Sequence, residues 1–137
     1  MDNALLKLES TLKNAGYSST KPRKIVFEAL YAFGLQTMNQ LIDRCDSCDR
    51  ASVYRAVETL ESIGAVQRVQ QGFKYKLELS DSFLPHHHHI VCSGCGKSAD
   101  IEQARLENLL EDIARNEDFI LVSHKIELSG ICSRCQK

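Results

Sequence analysis

Three observations predict an α+β chain. Residues 1–64 carry four helical periodicities, three of which close on glycine. Residues 65–79 carry two strand-like runs around Gln71-Gly72. Residues 86–137 read strand, strand, helix, strand, framed by paired cysteines. Helices followed by a hairpin are the order of a winged helix-turn-helix, and the second half reads as a small α/β domain. The expected boundaries are 1–79 for the first domain, 80–85 for a linker or hinge, and 86–137 for the second.

In chain order, Leu5, Leu8 and Leu12 share one face of a helix over residues 3–15, and Gly16 ends it. A second helix opens at Thr20, with Pro22 in its first turn where a missing N–H costs nothing. Its expected core face is Ile25, Val26, Ala29, Leu30 and Phe33, and Gly34 stops it. Thr37 is placed to cap a short third helix through Leu41, Ile42 and Cys45. A fourth helix over residues 51–63 carries Val53, Val57, Leu60 and Ile63 on one side and closes at Gly64. Strands follow over 65–70 and 73–79. Beyond the linker, strands are expected over 86–92, 99–102 and 119–128. The helix between the last two, over 103–116, is expected to turn Leu106, Leu109, Leu110 and Ile113 inward. Residues 80–137, 58 with the linker included, are marginal for a lone core, so a structural metal or a dimer interface is expected to supply the deficit.

Composition narrows the class. Apolar residues make up 43% of the 137, ordinary for a globular chain. No apolar run approaches the roughly 18 residues of a membrane span. Met1-Asp2-Asn3-Ala4 lacks the basic and apolar regions of a signal peptide, so a cytoplasmic protein is expected. The net charge of −1 does not by itself point to nucleic acid. The halves differ, however: residues 1–79 hold 11 Lys and Arg against 9 Asp and Glu, and residues 80–137 hold 6 against 9.

All six cysteines fall in three Cys-x-x-Cys pairs: Cys45 and Cys48, Cys92 and Cys95, Cys132 and Cys135. In a reducing compartment such pairs read as zinc or redox sites rather than structural disulfides. The last two pairs, in one small domain, suit a closed tetrahedral zinc site of four thiolates, which is structural and not catalytic. Redox chemistry or buried free thiols are the alternatives. Cys45 and Cys48 read as core or turn residues before they read as a metal or redox site.

His86, His87, His88 and His89 run directly into Ile90-Val91-Cys92. Successive side chains of a strand point to opposite faces, so His86 and His88 would serve one site and His87 and His89 another. Glu107 and His124 are candidates to complete the first set, and Asp100 and Glu78 the second. Mixed His and carboxylate sets suit Zn2+, Fe2+ or Mn2+. A solvated His-rich strand is the alternative. On the fourth helix, Val53 and Val57 face the core, which leaves Arg50, Ser52, Tyr54 and Arg55 on the outer face near its N-terminus. Recognition helices read the major groove of duplex DNA with that end. An ordinary amphipathic helix is the alternative, which the preceding helix-turn and the following hairpin disfavour.

Taken together, Tyr17 to Arg23, then Ser52-Val53-Tyr54-Arg55-Ala56, the His86–Cys95 run and the Cys132–Cys135 knuckle resemble the ferric-uptake-regulator (Fur) superfamily over nearly the whole chain. These are dimeric, metal-dependent bacterial repressors. The resemblance implies that residues 86–137 form a dimerisation domain and that the four cysteines hold structural zinc. It implies that Tyr54 and Arg55 lie on the DNA-reading helix and that Arg23 meets the DNA backbone. A homodimer would bind an operator with inverted-repeat symmetry, with no membrane involvement. The resemblance further implies a regulatory site from His87, His89 and Asp100 or Glu78, and a second site from His86, His88, Glu107 and His124.

Two departures bear on the metal. Iron and peroxide sensors of the superfamily usually take a His from just before the third helix, where this chain has Gly34-Leu35-Gln36-Thr37. Zinc sensors often take ligands from the ends of the hairpin, where this chain has Gln67 and Glu78. The four-His run and the missing His point to the zinc-uptake branch, with iron or peroxide sensing as the alternative. An enzyme is not expected. A zinc hydrolase would need an open metal position and a general base, without the His-Glu-x-x-His helix that supplies them. A thiol oxidoreductase using Cys45 and Cys48 would need a thioredoxin-like setting around a low-pKa thiol.

Overall fold

Helix α1 (Asp2–Asn14) buries Leu8 and Leu12, and its end is closed by Tyr17 N–H donating to the Leu12 carbonyl with Gly16 at φ 85°. That left-handed conformation is strained for any residue with a Cβ. The computed structural model describes residues 1–71 and 73–137, so Gly72 of the expected hairpin turn lies outside the described residues. It divides into two units, Met1–Pro85 and His86–Lys137.

In the first unit, α2 (Lys21–Phe33) starts at Thr20 with Pro22 in the first turn and buries Val26, Phe27, Ala29 and Leu30. Phe33, expected in the core, is 58% exposed. It lies past the buried stripe, and its ring carries the Arg44 guanidinium at 4.3 Å. Helix α3 (Met38–Arg44) opens on a reciprocal capping box between Thr37 and Gln40. Helix α4 (Arg50–Ser62) starts one residue earlier than expected, because the Asp49 side chain accepts from Ser52 N–H at 2.6 Å. Val53, Ala56, Val57 and Leu60 of α4 join Leu8, Leu12, Phe27, Leu30, Leu41 and Cys45 in one core. Each large side chain fully buried there contributes about 1.5–3 kcal/mol.

Strands β1 (Val66–Gln71) and β2 (Lys74–Leu79) form the antiparallel wing, with Gln67 opposite Glu78. Gln36 pairs with Leu77 as an isolated bridge, which ties the α2–α3 connection to β2. Residues 80–85, expected as a linker, group with this unit. Ser80 N–H donates to Ala65 O, its hydroxyl donates to Gly64 O, and Phe83 and Leu84 pack against the core. The apolar pair Phe83-Leu84 draws the segment inward where a purely polar linker would stay in water.

The second unit is a three-stranded sheet of order β4-β3-β5, with α5 (Ala104–Asn116) between β4 (Ser98–Ile101) and β5 (Glu127–Gly130). The central strand β3 (His88–Cys92) pairs antiparallel with β4 and parallel with β5. Two expectations fail here. The strand expected over 119–128 is reduced to Glu127–Gly130, because only that stretch finds an edge of β3 to pair with. Leu109 and Ile113 do not face inward: both are more than half exposed, and α5 buries no residue. Phe119 at 72%, Ile120 at 91% and Val122 at 91% exposure add to the apolar surface that this unit leaves open. Exposed apolar surface that is contiguous marks an interaction site.

Candidate metal centres and nucleic-acid interface

The thiols of Cys92, Cys95, Cys132 and Cys135 converge so that one sulfur from each lies within 4.8 Å of the others. Two knuckles make the site. In the first, Gly96 N–H donates to Cys92 O, and Cys92 N–H to Lys97 O. In the second, Cys135 N–H and Gln136 N–H both donate to Cys132 O. Ser93 N–H to Gly130 O ties the first knuckle to the end of β5 at 2.9 Å, two residues before the second. Cys95 Sγ and Cys132 Sγ are 3.7 Å apart. Four sulfurs at about 2.3 Å from a tetrahedral zinc sit about 3.8 Å from one another, so the donor set fits that ion. A Cβ at Gly94 would approach Cys135 Sγ to 3.1 Å, which explains why the first knuckle carries glycine there. The Cys132 and Cys95 backbone N–H groups hold the Cys92 thiol down to about 6, while the neighbouring sulfurs of Cys132, Cys95 and Cys92 push Cys135 up to about 12. Backbone N–H groups aimed at sulfur favour thiolate, the form that ligates.

A second cluster joins His86, His88, Glu107 and His124. His88 Nε2 lies 2.6 Å and His86 Nε2 3.3 Å from Glu107 Oε1, while His124 Nε2 lies 2.8 Å from Glu107 Oε2. His86 and His124 bring their Nε2 atoms to 3.0 Å. Bonds of about 2.0–2.1 Å to a tetrahedral cation would space such atoms about 3.3 Å apart, so this set needs only slight expansion to accept one. Burial alone would raise the Glu107 carboxyl. The hydrogen bond from His88 and the imidazoles of His124 and His86 outweigh it and hold the group below its ordinary value. His124 was expected on a strand; it reaches the cluster instead from the unpaired stretch before β5.

His87 and His89 stack edge to face, with ring centroids 4.7 Å apart. Asp100, opposite His89 in the β3–β4 register, places Oδ1 3.0 Å from His89 Nδ1. A carboxylate on one imidazole nitrogen fixes the tautomer and leaves the other nitrogen for a cation. Glu78 belongs to the first unit, where its Oε1 accepts from Gln67 Nε2 at 2.8 Å. Gln67, by sequence only a hairpin position that lacks a ligand side chain, lies opposite Glu78 across the wing and holds its carboxylate.

On α4 the inner stripe is buried, and Arg50, Tyr54 and Arg55 face solvent near the N-terminal end. The Arg50 guanidinium lies 5.7 Å from the Tyr54 ring centroid. Ser52 is only partly exposed, and its N–H is held by Asp49. Arg23 is engaged within the unit: it donates to Ser18 O at 2.6 Å and to Thr59 Oγ1 at 3.3 Å, and lies 5.3 Å from the Tyr17 ring centroid. It thereby braces the α1–α2 loop against the far end of α4.

The ferric uptake regulator family model matches residues 14–129. The chain belongs to that family. It is 31% identical over 136 residues to the ferric uptake regulation protein of Bordetella parapertussis, covering 94% of this chain and 96% of that one. It superposes on the Vibrio cholerae ferric uptake regulator with a TM-score of 0.74 at 28% identity, covering 90% and 98% of the two chains. The Helicobacter pylori ferric uptake regulator, described as having three functional metal-binding sites, shares the fold with a TM-score of 0.82 at 23% identity over 99% and 93%. Members of the ferric uptake regulator family are metal-responsive, DNA-binding transcriptional regulators, not enzymes, and they act as dimers. Among the described residues no helix is long and apolar enough to cross a membrane.

Cys45 is fully buried at the end of α3, and burial, then Cys48 and Asp46, push its thiol up to about 11. A thiol held protonated in a core is the opposite of a redox nucleophile.

Proposed function

We propose that this chain is a zinc-responsive, DNA-binding repressor of metal-homeostasis genes that works as a homodimer in the cytoplasm. Zinc on Cys92, Cys95, Cys132 and Cys135 serves structure. His87, His89, Asp100 and Glu78 form the regulatory set, and His86, His88, Glu107 and His124 a second set. Arg50, Ser52, Tyr54 and Arg55 read an inverted-repeat operator, and Arg23 supports them. Bound metal would supply charge neutralisation and cross-linking of ligand-bearing segments. The chain's own residues supply selectivity and the DNA contact.

One observation carries the choice of zinc. In the segment where iron and peroxide sensors usually hold a histidine ligand, this chain has Gln36, and Gln36 is fully buried. Its amide nitrogen donates to Ala29 O and Gly34 O, and its amide oxygen accepts from Arg44 at 2.7 Å. An amide with both ends satisfied in a core is a structural group. The six-donor sets that favour Fe2+ or Mn2+ lose a member, whereas four-donor zinc sites do not need it. Iron or peroxide sensing is the second reading, and relatives named for ferric uptake favour iron.

The test is anaerobic titration of Zn2+, Fe2+ and Mn2+ into protein with its structural site filled, read by anisotropy of labelled duplex selected from random sequence. Zinc should promote binding at the lowest free concentration; promotion by Fe2+ or Mn2+ alone overturns the zinc assignment. His87→Ala or His89→Ala should abolish stimulation while leaving a folded dimer. His86→Ala or His124→Ala should lower the melting temperature and weaken stimulation only partly. The reverse pattern would exchange the roles of the two sets.

A further inference from the structure

Residues 80–84 are held to the first unit by hydrogen bonds and ring contacts. Ser80 bonds Ala65 O through its N–H and Gly64 O through its hydroxyl, and its own carbonyl accepts from Phe83 N–H at 2.9 Å. The Phe83 ring meets Phe27 edge to face at 5.2 Å. Lys7, from α1, donates its Nζ to the Ser82 carbonyl and lies 5.2 Å from the centroid of the Phe83 ring. Only Pro85 then separates Leu84, packed on the core of the first unit, from His86, in the ligand cluster of the second.

We infer that Phe83 and Lys7 are positioning residues for metal-responsive DNA binding: they clamp the chain where it leaves the DNA-binding unit, so that metal on the adjoining histidines acts on that unit. The inference rests on the proposal that His86 to His89 belong to the sensing machinery. A ligand shifts a conformational equilibrium only by its differential affinity for the two states. If the connection between ligands and DNA-reading unit is slack, ordering the ligands leaves that unit free and the differential vanishes. Released residues 80–85 would behave as a flexible tether with a root-mean-square length of about 13 Å. With the clamp closed, the connection between Leu84 and His86 shortens to Pro85. Edge-to-face aromatic packing and a cation over a ring are stabilising contacts suited to hold such a strap without closing it covalently.

A purely structural Phe83 would change melting temperature and leave the coupling between metal and DNA alone. The two are separated with full-length protein whose four-cysteine site holds zinc, Co2+ as the added metal, and a labelled duplex selected from random sequence by the wild type. DNA affinity is measured without and with saturating Co2+, and Co2+ affinity is measured without DNA. In Phe83→Ala the ratio of the two DNA affinities should fall about fivefold or more, within the usual range of coupling free energies. Its metal-free DNA affinity and its Co2+ affinity without DNA should each stay within about twofold of wild type, since neither requires the clamp to transmit the other's binding. Phe83→Tyr, which keeps the ring, should restore the ratio, and Lys7→Ala should lower it in the same direction. An unchanged ratio in folded Phe83→Ala overturns the inference. If Phe83→Ala does not fold, Lys7→Ala decides, because Lys7 is exposed. A wild-type protein whose DNA affinity ignores Co2+ overturns the sensing proposal itself, a different failure from an unchanged ratio in a variant.

Discussion

Gly94, Arg55 and Arg23 show what single side chains contribute. At Gly94 a methyl group would press on Cys135 Sγ at 3.1 Å. Gly94→Ala is therefore expected to weaken structural zinc about tenfold, the lower end of losses seen when a ligand's surroundings are disturbed. Competition with a chromophoric chelator measures it, and an affinity equal to wild type would mean that the knuckle yields without cost. Arg55 is exposed on α4, away from the buried stripe. If it contacts a base edge, Arg55→Ala should cost about 1–3 kcal/mol on the selected sequence and relax preference at one position. Arg23 differs, because Ser18 and Thr59 already hold its guanidinium. Arg23→Ala should weaken specific and random DNA alike and also lower the melting temperature, since it removes a brace as well as a positive charge. A loss confined to the specific sequence would contradict that.

Helix starts and ends were unevenly legible at the scale of elements. Thr37 is expected to cap and does, whereas Asp49, expected only in a turn, proves to cap α4. The Asp49 carboxyl is held below its ordinary value of 3.8 by the Ser52 backbone N–H. A group whose folded value is depressed contributes stability above its unfolded value and loses it as pH falls through the folded one. The start of α4 should therefore weaken in acid, below the ordinary value for an aspartate, and Asp49→Ala should lower the melting midpoint by a few degrees at neutral pH with less effect in acid. A variant-to-wild-type difference that does not shrink on acidification would dismiss the cap. The end of α5 carried no such signal. Asp118 takes φ 61° there and Phe119 N–H closes onto Ala114 O, a task that glycine performs at Gly16 and Gly64. The expected strand over 119–128 failed because alternation and apolarity describe a segment, while pairing requires a free edge opposite it.

Stability and assembly meet in the second unit. Its core is thin, its apolar face is open, and its two cysteine knuckles lie 37 residues apart in sequence at Cys95 and Cys132. Zinc binding at a structural site is worth on the order of 10–16 kcal/mol, more than such a core supplies alone. Chelator stripping, or Cys95→Ser, is expected to unfold residues 86–137 and disperse the dimer while the helices of the first unit remain. Circular dichroism beside light scattering follows both. A metal-free protein of dimer mass with unchanged dichroism would remove zinc from the folding of this unit. Placing charge on the open face, as in Ile120→Glu, should yield monomers that keep structural zinc and lose tight operator binding.

What the chain determined by itself were features carried by local chemistry. Helix faces at Leu8 and Leu12 or Val53 and Val57, the cap at Thr37, and the donors at Cys92, Cys95, Cys132 and Cys135 follow from residue type and spacing. The grouping of His86 and His88 apart from His87 and His89 follows from strand periodicity near β3, and the two clusters diverge accordingly. What only tertiary structure decided depends on partners remote in sequence. Gln36 looks like any polar loop residue until Ala29, Gly34, Arg44 and Leu77 enclose it. Phe83 looks like part of a linker until Phe27 and Lys7 receive it. Leu109 and Ile113 look like core until the fold leaves both more than half exposed. In each case the deciding free energy is burial or pairing against a surface that exists only after the chain has folded, and that no local pattern encodes.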